Sequence, residues 1–197
     1  LYSPFGKSLD LQKYKFMAFE KFEKLVKNIS SYSESAVISL SAFGEPLHHP
    51  DFLNFVKIVL KYPCLSVFFE TDGEGVTQDF CEELKEIVEN APKRENNWPK
   101  LMTVVKIDAV SEEKYKEIHP VGNYKKALQA ITLLCSSLKE NVYPQFTRMT
   151  QNEDELESFF RFWNEKSSPA NGNLIIQKYN DYCGLLPQYR VTDLSPV

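Results

Sequence analysis

Short runs of β-branched and aromatic residues alternate with longer amphipathic stretches along the chain, and this alternation limits the fold more than any other feature. Phe19, Phe22, Leu25, Val26 and Ile29 recur at three- and four-residue intervals between Lys and Glu, which predicts a helix over 17–32 with one apolar stripe. Ala36-Val-Ile-Ser-Leu-Ser41 follows as a buried strand. The pattern then repeats. Pro50-Asp51 starts and caps a helix whose inner side carries Phe52, Phe55, Val56 and Val59, and a strand over 65–70 comes next. Helices are expected over 78–90, 124–138 and 154–165, with a shorter helical turn capped by Ser111. Strands are expected over 101–107, 142–148 and 173–179.

Strands separated by helices of this length cannot be joined as hairpins; they form right-handed βαβ units and a parallel sheet. The fold class is therefore α/β. Periodicity does not encode whether such a sheet stays open or closes. The chain has no P-loop and no GxGxxG after a strand, which weighs against an open nucleotide-binding sheet. We expect a partial TIM-type (β/α) barrel of five parallel strands, with 1–197 as one domain because no compositional boundary divides it.

Composition narrows the function classes. The net charge of −4 and pI near 5.5 provide no basic face for nucleic acid or an anionic membrane. No apolar run reaches the roughly 20 residues that span a bilayer, and no secretory leader is visible, so a cytoplasmic protein is expected. Cys64, Cys81, Cys135 and Cys183 are too far apart for a CxxC or zinc-ribbon site and are expected to be buried reduced thiols. Leu1-Tyr-Ser-Pro-Phe-Gly6 has the character of a connector, and the chain is expected to be the middle of a longer protein.

In parallel α/β architectures chemistry gathers where strands end and helices begin. Those positions hold Gly44-Glu45-Pro46 with His48, His49 and Asp51 after the first strand, and Thr71-Asp72-Gly73 after the second. Asp108, Arg148 and Lys178-Tyr179 follow the third, fourth and fifth. Glu45, His48, His49 and Asp51 include good metal ligands, but adjacent histidines rarely face one ion, so no metal site is assigned. Arg148 suits a ligand carboxylate or a salt bridge to Asp108 or Glu70. The stripe Phe159, Phe160, Phe162 and Trp163 is expected to pack a helix on the sheet.

Taken in order, these blocks resemble the radical S-adenosylmethionine (SAM) enzymes. Leu40-Ser-Ala-Phe-Gly44-Glu45-Pro46-Leu-His-His49-Pro50-Asp51-Phe52 is similar to that family's GGEPLLHPDF-type segment. Glu70-Thr71-Asp72-Gly73 resembles its TNG strand end, Val105-Lys-Ile-Asp108-Ala its SIDA-type strand, and Glu113 to Leu128 the helical stretch that follows. The blocks Val142 to Asn152 and Ile175 to Tyr179 look like later strands of members with a SPASM extension, and 193–197 is like the stretch before a SPASM domain's first cysteine.

The resemblance implies that Gly44, Glu45 and Pro46 border the methionine part of SAM, through backbone acceptors and the Glu carboxylate. It also places Thr71, Asp108 and Arg148 in the cofactor-binding set, and it assigns no catalytic residue. It implies a parent enzyme that cleaves SAM at a [4Fe-4S] cluster, generating a 5′-deoxyadenosyl radical that takes hydrogen from a substrate, with a peptide or protein as candidate. The chain lacks the CxxxCxxC motif that would hold the cluster, so by itself it is expected to bind no cluster and little or no SAM. Asp72 and His119-Pro120 also depart from the family pattern, which leaves their contacts unassigned. Two rivals stand beside this reading. One is a degenerate, non-catalytic barrel that binds a ligand or partner; the other is a barrel lyase using Lys106 or Lys178 as a Schiff-base amine.

Overall fold

The computed structural model describes residues 16–41 and 44–191. The connector at 1–6, the pre-SPASM stretch at 193–197, and Ala42 and Phe43 of the Gly-Glu-Pro block lie outside the described residues. The chain runs α1 (Phe19–Tyr32), β1 (Ala36–Ser39), α2 (Phe52–Leu60), β2 (Leu65–Thr71), α3 (Gln78–Asn90) and β3 (Leu101–Lys106). It continues through α4 (Glu112–Ile118), α5 (Tyr124–Leu138), β4 (Val142–Arg148), α6 (Leu156–Asn164) and β5 (Ile175–Lys178).

All four strand pairings are parallel, and the spatial order is β1-β2-β3-β4-β5, the same as the order in sequence. That order resolves what periodicity left open. A doubly wound sheet reverses direction partway, which sends helices to both faces. Here every crossover steps to the next strand in the same sense, so right-handed connections lay the helices along one face and the sheet curls around the other. Contacts of α1 with α2, α2 with α3 and α3 with α5 form that outer layer, and the five strands make a curled half-barrel.

The core lies between sheet and helices. Phe22 stacks on Phe55 at 4.1 Å, Phe52 meets Phe69 edge-on at 5.0 Å, and Phe146 meets Phe159 at 4.9 Å. These contacts join α1, α2 and α6 to the sheet. The helix starts are set locally: Thr77, Ser111 and Asn123 accept the backbone N–H groups of Phe80, Lys114 and Lys126, satisfying donors that a first turn leaves orphaned.

Asp51 does not cap α2 as expected. Its carboxylate takes only the Asn54 amide at 3.4 Å, and its own N–H is held by His49 Nδ1 at 3.0 Å, so the ring directs the turn instead. The aromatic stripe on α6 also divides: Phe159 and Trp163 are buried, whereas Phe160 and Phe162 are 45% and 53% exposed. Four large residues within five positions span more than one helical face. Of the thiols, Cys81 is buried, Cys64 and Cys135 are half-buried, and Cys183 is exposed, contrary to expectation.

At the N-terminal end of the half-barrel, Arg94 is buried and bonded to neutral oxygens. It donates to Ser66 Oγ at 2.8 Å, the Pro63 carbonyl at 3.0 Å, Ser35 Oγ at 3.1 Å and the Ala36 carbonyl at 3.3 Å. One side chain thus ties the starts of β1 and β2 together. No helix among the described residues is long and apolar enough to cross a membrane.

Candidate functional site

The C-terminal ends of the strands form the mouth. After β1, Ser41 Oγ accepts the Glu70 N–H at 2.6 Å and donates to the Glu70 carbonyl at 3.2 Å, which pins the exit of β1 to β2. Gly44 follows in the left-handed region at φ 105°, with open space where a Cβ would stand. Glu45 caps a short 3₁₀ turn, Pro46–His48, by accepting the Leu47 N–H at 3.1 Å. Pro46 suits the first position of that turn because its φ is already set and its missing N–H is no loss there.

The same carboxylate crosses to β2. It accepts the Thr71 hydroxyl on Oε1 and the Asp72 N–H on Oε2, both at 2.8 Å. Glu45 is therefore a brace between two strand ends, and burial, followed by the nearby Asp72 charge, raises its pKa above the usual value. Three donors leave room for about one more of a carboxylate's roughly four acceptor positions.

Thr71 is buried; its hydroxyl also accepts the Gly73 N–H at 3.0 Å, and Asp72 Oδ1 accepts the Glu74 N–H at 2.9 Å. Gly73, at φ 84°, brings this loop against α5. A Cβ there would stand 2.8 Å from that of Ala130. The Thr-Asp-Gly block thus owes its glycine to helix packing.

Asp108 is fully buried and sits at φ 54°. Oδ1 accepts the Thr147 N–H at 2.5 Å, Oδ2 meets His119 Nε2 at 2.9 Å, and its carbonyl accepts the Asn152 amide at 2.8 Å. Asn152 in turn accepts the Met149 N–H at 2.8 Å. Asp108 is built into the joint between β3, β4 and α4. His119, left unassigned by the sequence, is part of that joint.

Arg148 is the last residue of β4. Its guanidinium grips Glu153 through Nε at 2.8 and 3.0 Å and Nη2 at 2.7 Å. A two-pronged pair with Glu153 thus engages the Nε–Nη2 edge of the Arg148 fork. Lys106 pairs with Glu70 at 2.9 Å, an ionic setting unlike the apolar pocket that activates a Schiff-base lysine. Tyr179 is buried and donates to the Pro187 carbonyl at 2.9 Å, and Lys178 is exposed.

His49 is structural: its Nε2 meets the Met17 carbonyl at 3.1 Å, and its ring lies between Phe16 and Phe55 at 4.9 and 4.4 Å. Among the described residues no group of three or more His, Cys, Asp or Glu side chains is gathered to hold a metal. Burial pushes the Cys81 and Cys135 thiols up to about 11, which keeps them protonated and unreactive near neutral pH. Sequence reasoning held Ser41 and Asn152 only as members of longer blocks, without a role, and missed Glu153. The available signal was their type and place: short polar or acidic residues within five positions of a strand end.

Fold and mouth together define half of a parallel (β/α) barrel with a cross-braced Gly-Glu-Pro turn at its C-terminal face. Comparison with known proteins agrees on the fold. Native anSMEcpe with bound AdoMet superposes with a TM-score of 0.63 at 16% identity, over 87% of this chain and 45% of that one. Its complex with AdoMet and the Cp18Cys peptide gives 0.64 at 15% identity, over 93% and 50%. An uncharacterized protein of Treponema pallidum (strain Nichols) is 36% identical over 205 residues, covering 100% of this chain and 55% of that protein. The chain thus spans about half the length of this curated relative. No protein-family model matches it.

Proposed function

We propose that the chain forms the SAM-facing wall of a radical SAM enzyme of SPASM type, with a peptide or protein as substrate class. The observation that carries this reading is the Gly44–Pro46 turn, exposed at Gly44 and held rigid by Glu45 on Thr71 and Asp72, at the mouth of a half-barrel shaped like one that binds AdoMet. An ammonium needs several oxygen acceptors, and a glycine turn lets backbone carbonyls approach closely. Those carbonyls and the remaining acceptor position of Glu45 fit the amino group of SAM's methionine part.

In this reading Thr71 and Asp108 act by fixing the loops that carry the acceptors, since both are buried and bonded within the chain. The Cp18Cys peptide bound in the anSMEcpe complex supports a peptide as substrate class. A [4Fe-4S] cluster, when bound, would supply the electron that cleaves SAM. The described residues do not fit that cluster, so this reading assigns its ligands to other parts of the full-length protein.

The test uses full-length protein reconstituted anaerobically with iron and sulfide, then given SAM and dithionite. The expected result is cluster absorbance and release of 5′-deoxyadenosine, with release reduced at least tenfold in Gly44→Val, whose side chain would intrude where the ligand approaches and cannot easily adopt positive φ. A full-length protein that binds no cluster and cleaves no SAM overturns the reading in favour of a ligand-binding barrel without catalysis.

A further inference from the structure

On the outer side of the helical layer, α2 and α3 leave a groove of about 630 Å³ between them. Each helix follows a parallel strand and leads back to the start of the next, so the two helices run the same way. Phe52 meets Phe80 at 6.1 Å, which sets the helices level near their starts. From there the groove extends from Asn54 to Lys61 on the α2 side and from Glu83 to Asn90 on the α3 side. Each wall spans about two helical turns.

Charge divides the walls by sign. Lys57 and Lys61 stand on the α2 side, Glu83 and Glu86 on the α3 side, and all four are exposed. None of them takes part in an ion pair among the described residues. Between the walls lie the buried Ile58 and the half-buried Ile87. A groove with an apolar floor and one sign of unpaired charge along each wall is complementary to a second copy of itself, provided the walls are exchanged.

We propose that this groove is the face through which two copies of the protein associate about a two-fold axis. The axis runs along the groove, so that each copy's α2 lies over the other's α3 and the helices form a parallel four-helix bundle. Level for level, Lys57 of one copy faces Glu86 of the other, with Glu83 about one turn away. Asn54 faces Glu83, Lys61 faces Asn90 within about one turn of Glu86, and Ile58 meets Ile87 at the centre. An axis running across the groove would set lysine on lysine and glutamate on glutamate, so charge selects the first arrangement.

This association is independent of the SAM reading. The groove opens on the outer side of the helices, whereas the Gly44–Pro46 turn lies at the mouth. With the axis parallel to the groove, the two mouths open in the same direction and neither is covered.

The experiment is sedimentation velocity of the full-length protein over a range of concentrations, at low and at high salt. Wild type should pass from monomer to dimer as concentration rises, and high salt should shift it back by screening exposed charges. Lys57→Glu/Lys61→Glu makes both walls acidic, and Glu83→Lys/Glu86→Lys makes both basic. Each variant alone should self-associate at least about tenfold more weakly, because like charges then face each other. An equal mixture of the two should form a heterodimer. Thermal melts establish that both variants are folded, as exposed positions lead one to expect. Rescue on mixing is a result that a folding defect cannot imitate.

A wild type that stays monomeric throughout overturns the inference and leaves the groove to a different protein or to another part of the full-length chain. Dimers that persist in both variants place the contact on another surface and also overturn it. So does a mixture of folded variants that fails to associate.

Discussion

Replacing Gly73 by alanine separates two costs that are usually mixed. Gly73 is at φ 84°, and an added Cβ would stand 2.8 Å from Ala130 Cβ, 3.2 Å from Ala127 Cα and 3.4 Å from Val105 Cγ1. Gly184 has nearly the same backbone, φ 85°, but nothing within 4 Å of its Cβ position. Each substitution carries the left-handed penalty of about 1–2 kcal/mol. Only Gly73→Ala also forces two carbons well inside their roughly 3.5–4.0 Å optimum, and overpacking of this kind costs about 1–3 kcal/mol.

The expected losses are therefore about 2–5 kcal/mol for Gly73→Ala and about 1–2 kcal/mol for Gly184→Ala. Urea unfolding followed by far-UV circular dichroism reads both. Adding Ala130→Gly to Gly73→Ala removes the closest carbon and should recover part of the excess as a coupling energy of about 1 kcal/mol or more. Equal losses for the two glycines, or no coupling with Ala130, would refute the packing account of the Thr-Asp-Gly loop.

Other perturbations test the remaining braces. Thr103 Oγ1 is buried with no hydrogen-bond partner, so Thr103→Val should stabilise the chain by about 1–2 kcal/mol in the same assay, and destabilisation would show a hidden partner. Arg94→Met strips donors from four acceptors at the starts of β1 and β2 and should cost at least about 2 kcal/mol, whereas a neutral result would mean that water replaces the guanidinium freely. Glu45 holds its proton more tightly folded than unfolded, so its contribution to stability is fully present below the unfolded value of 4.5 and lost as pH rises through the higher folded value. Glu45→Gln should remove that component of the pH slope, and an unchanged slope would assign it to another group.

The fold was largely legible. The predicted ranges 78–90, 124–138 and 142–148 coincide with α3, α5 and β4; both helices begin at an Asn or Thr cap that the sequence displays. The last strand shrank from 173–179 to Ile175–Lys178, an edge strand with one neighbour to hold its ends. The candidate site was legible in location but not in role. Parallel topology places Glu45, Thr71, Asp108 and Arg148 at strand ends, yet whether each faces a ligand depends on partners such as Thr71 for Glu45, 26 positions away, and on strand parity. Arg148 illustrates the second point: one position earlier on β4 it would face the concave side, whereas at 148 it shares the side of Phe146 and meets Glu153.

The charges at the mouth have one further consequence. Tyr115 is raised first by burial and then by Asp72, Glu74 and Asp108, and Glu45 is raised first by burial and then by Asp72. Burial and the Asp72 charge are common to both groups, so the turn side of the mouth favours positive charge. A cation bound at the Gly44–Pro46 turn stabilises ionised Glu45 and lowers its pKa, releasing a proton wherever Glu45 is still partly protonated in the free protein. Affinity of the full-length protein for SAM should therefore rise with pH through the folded Glu45 value and flatten above it, and Glu45→Gln should lose that rise. A profile unchanged by the substitution would place the ammonium away from Glu45 and undo the polarity argued for this site.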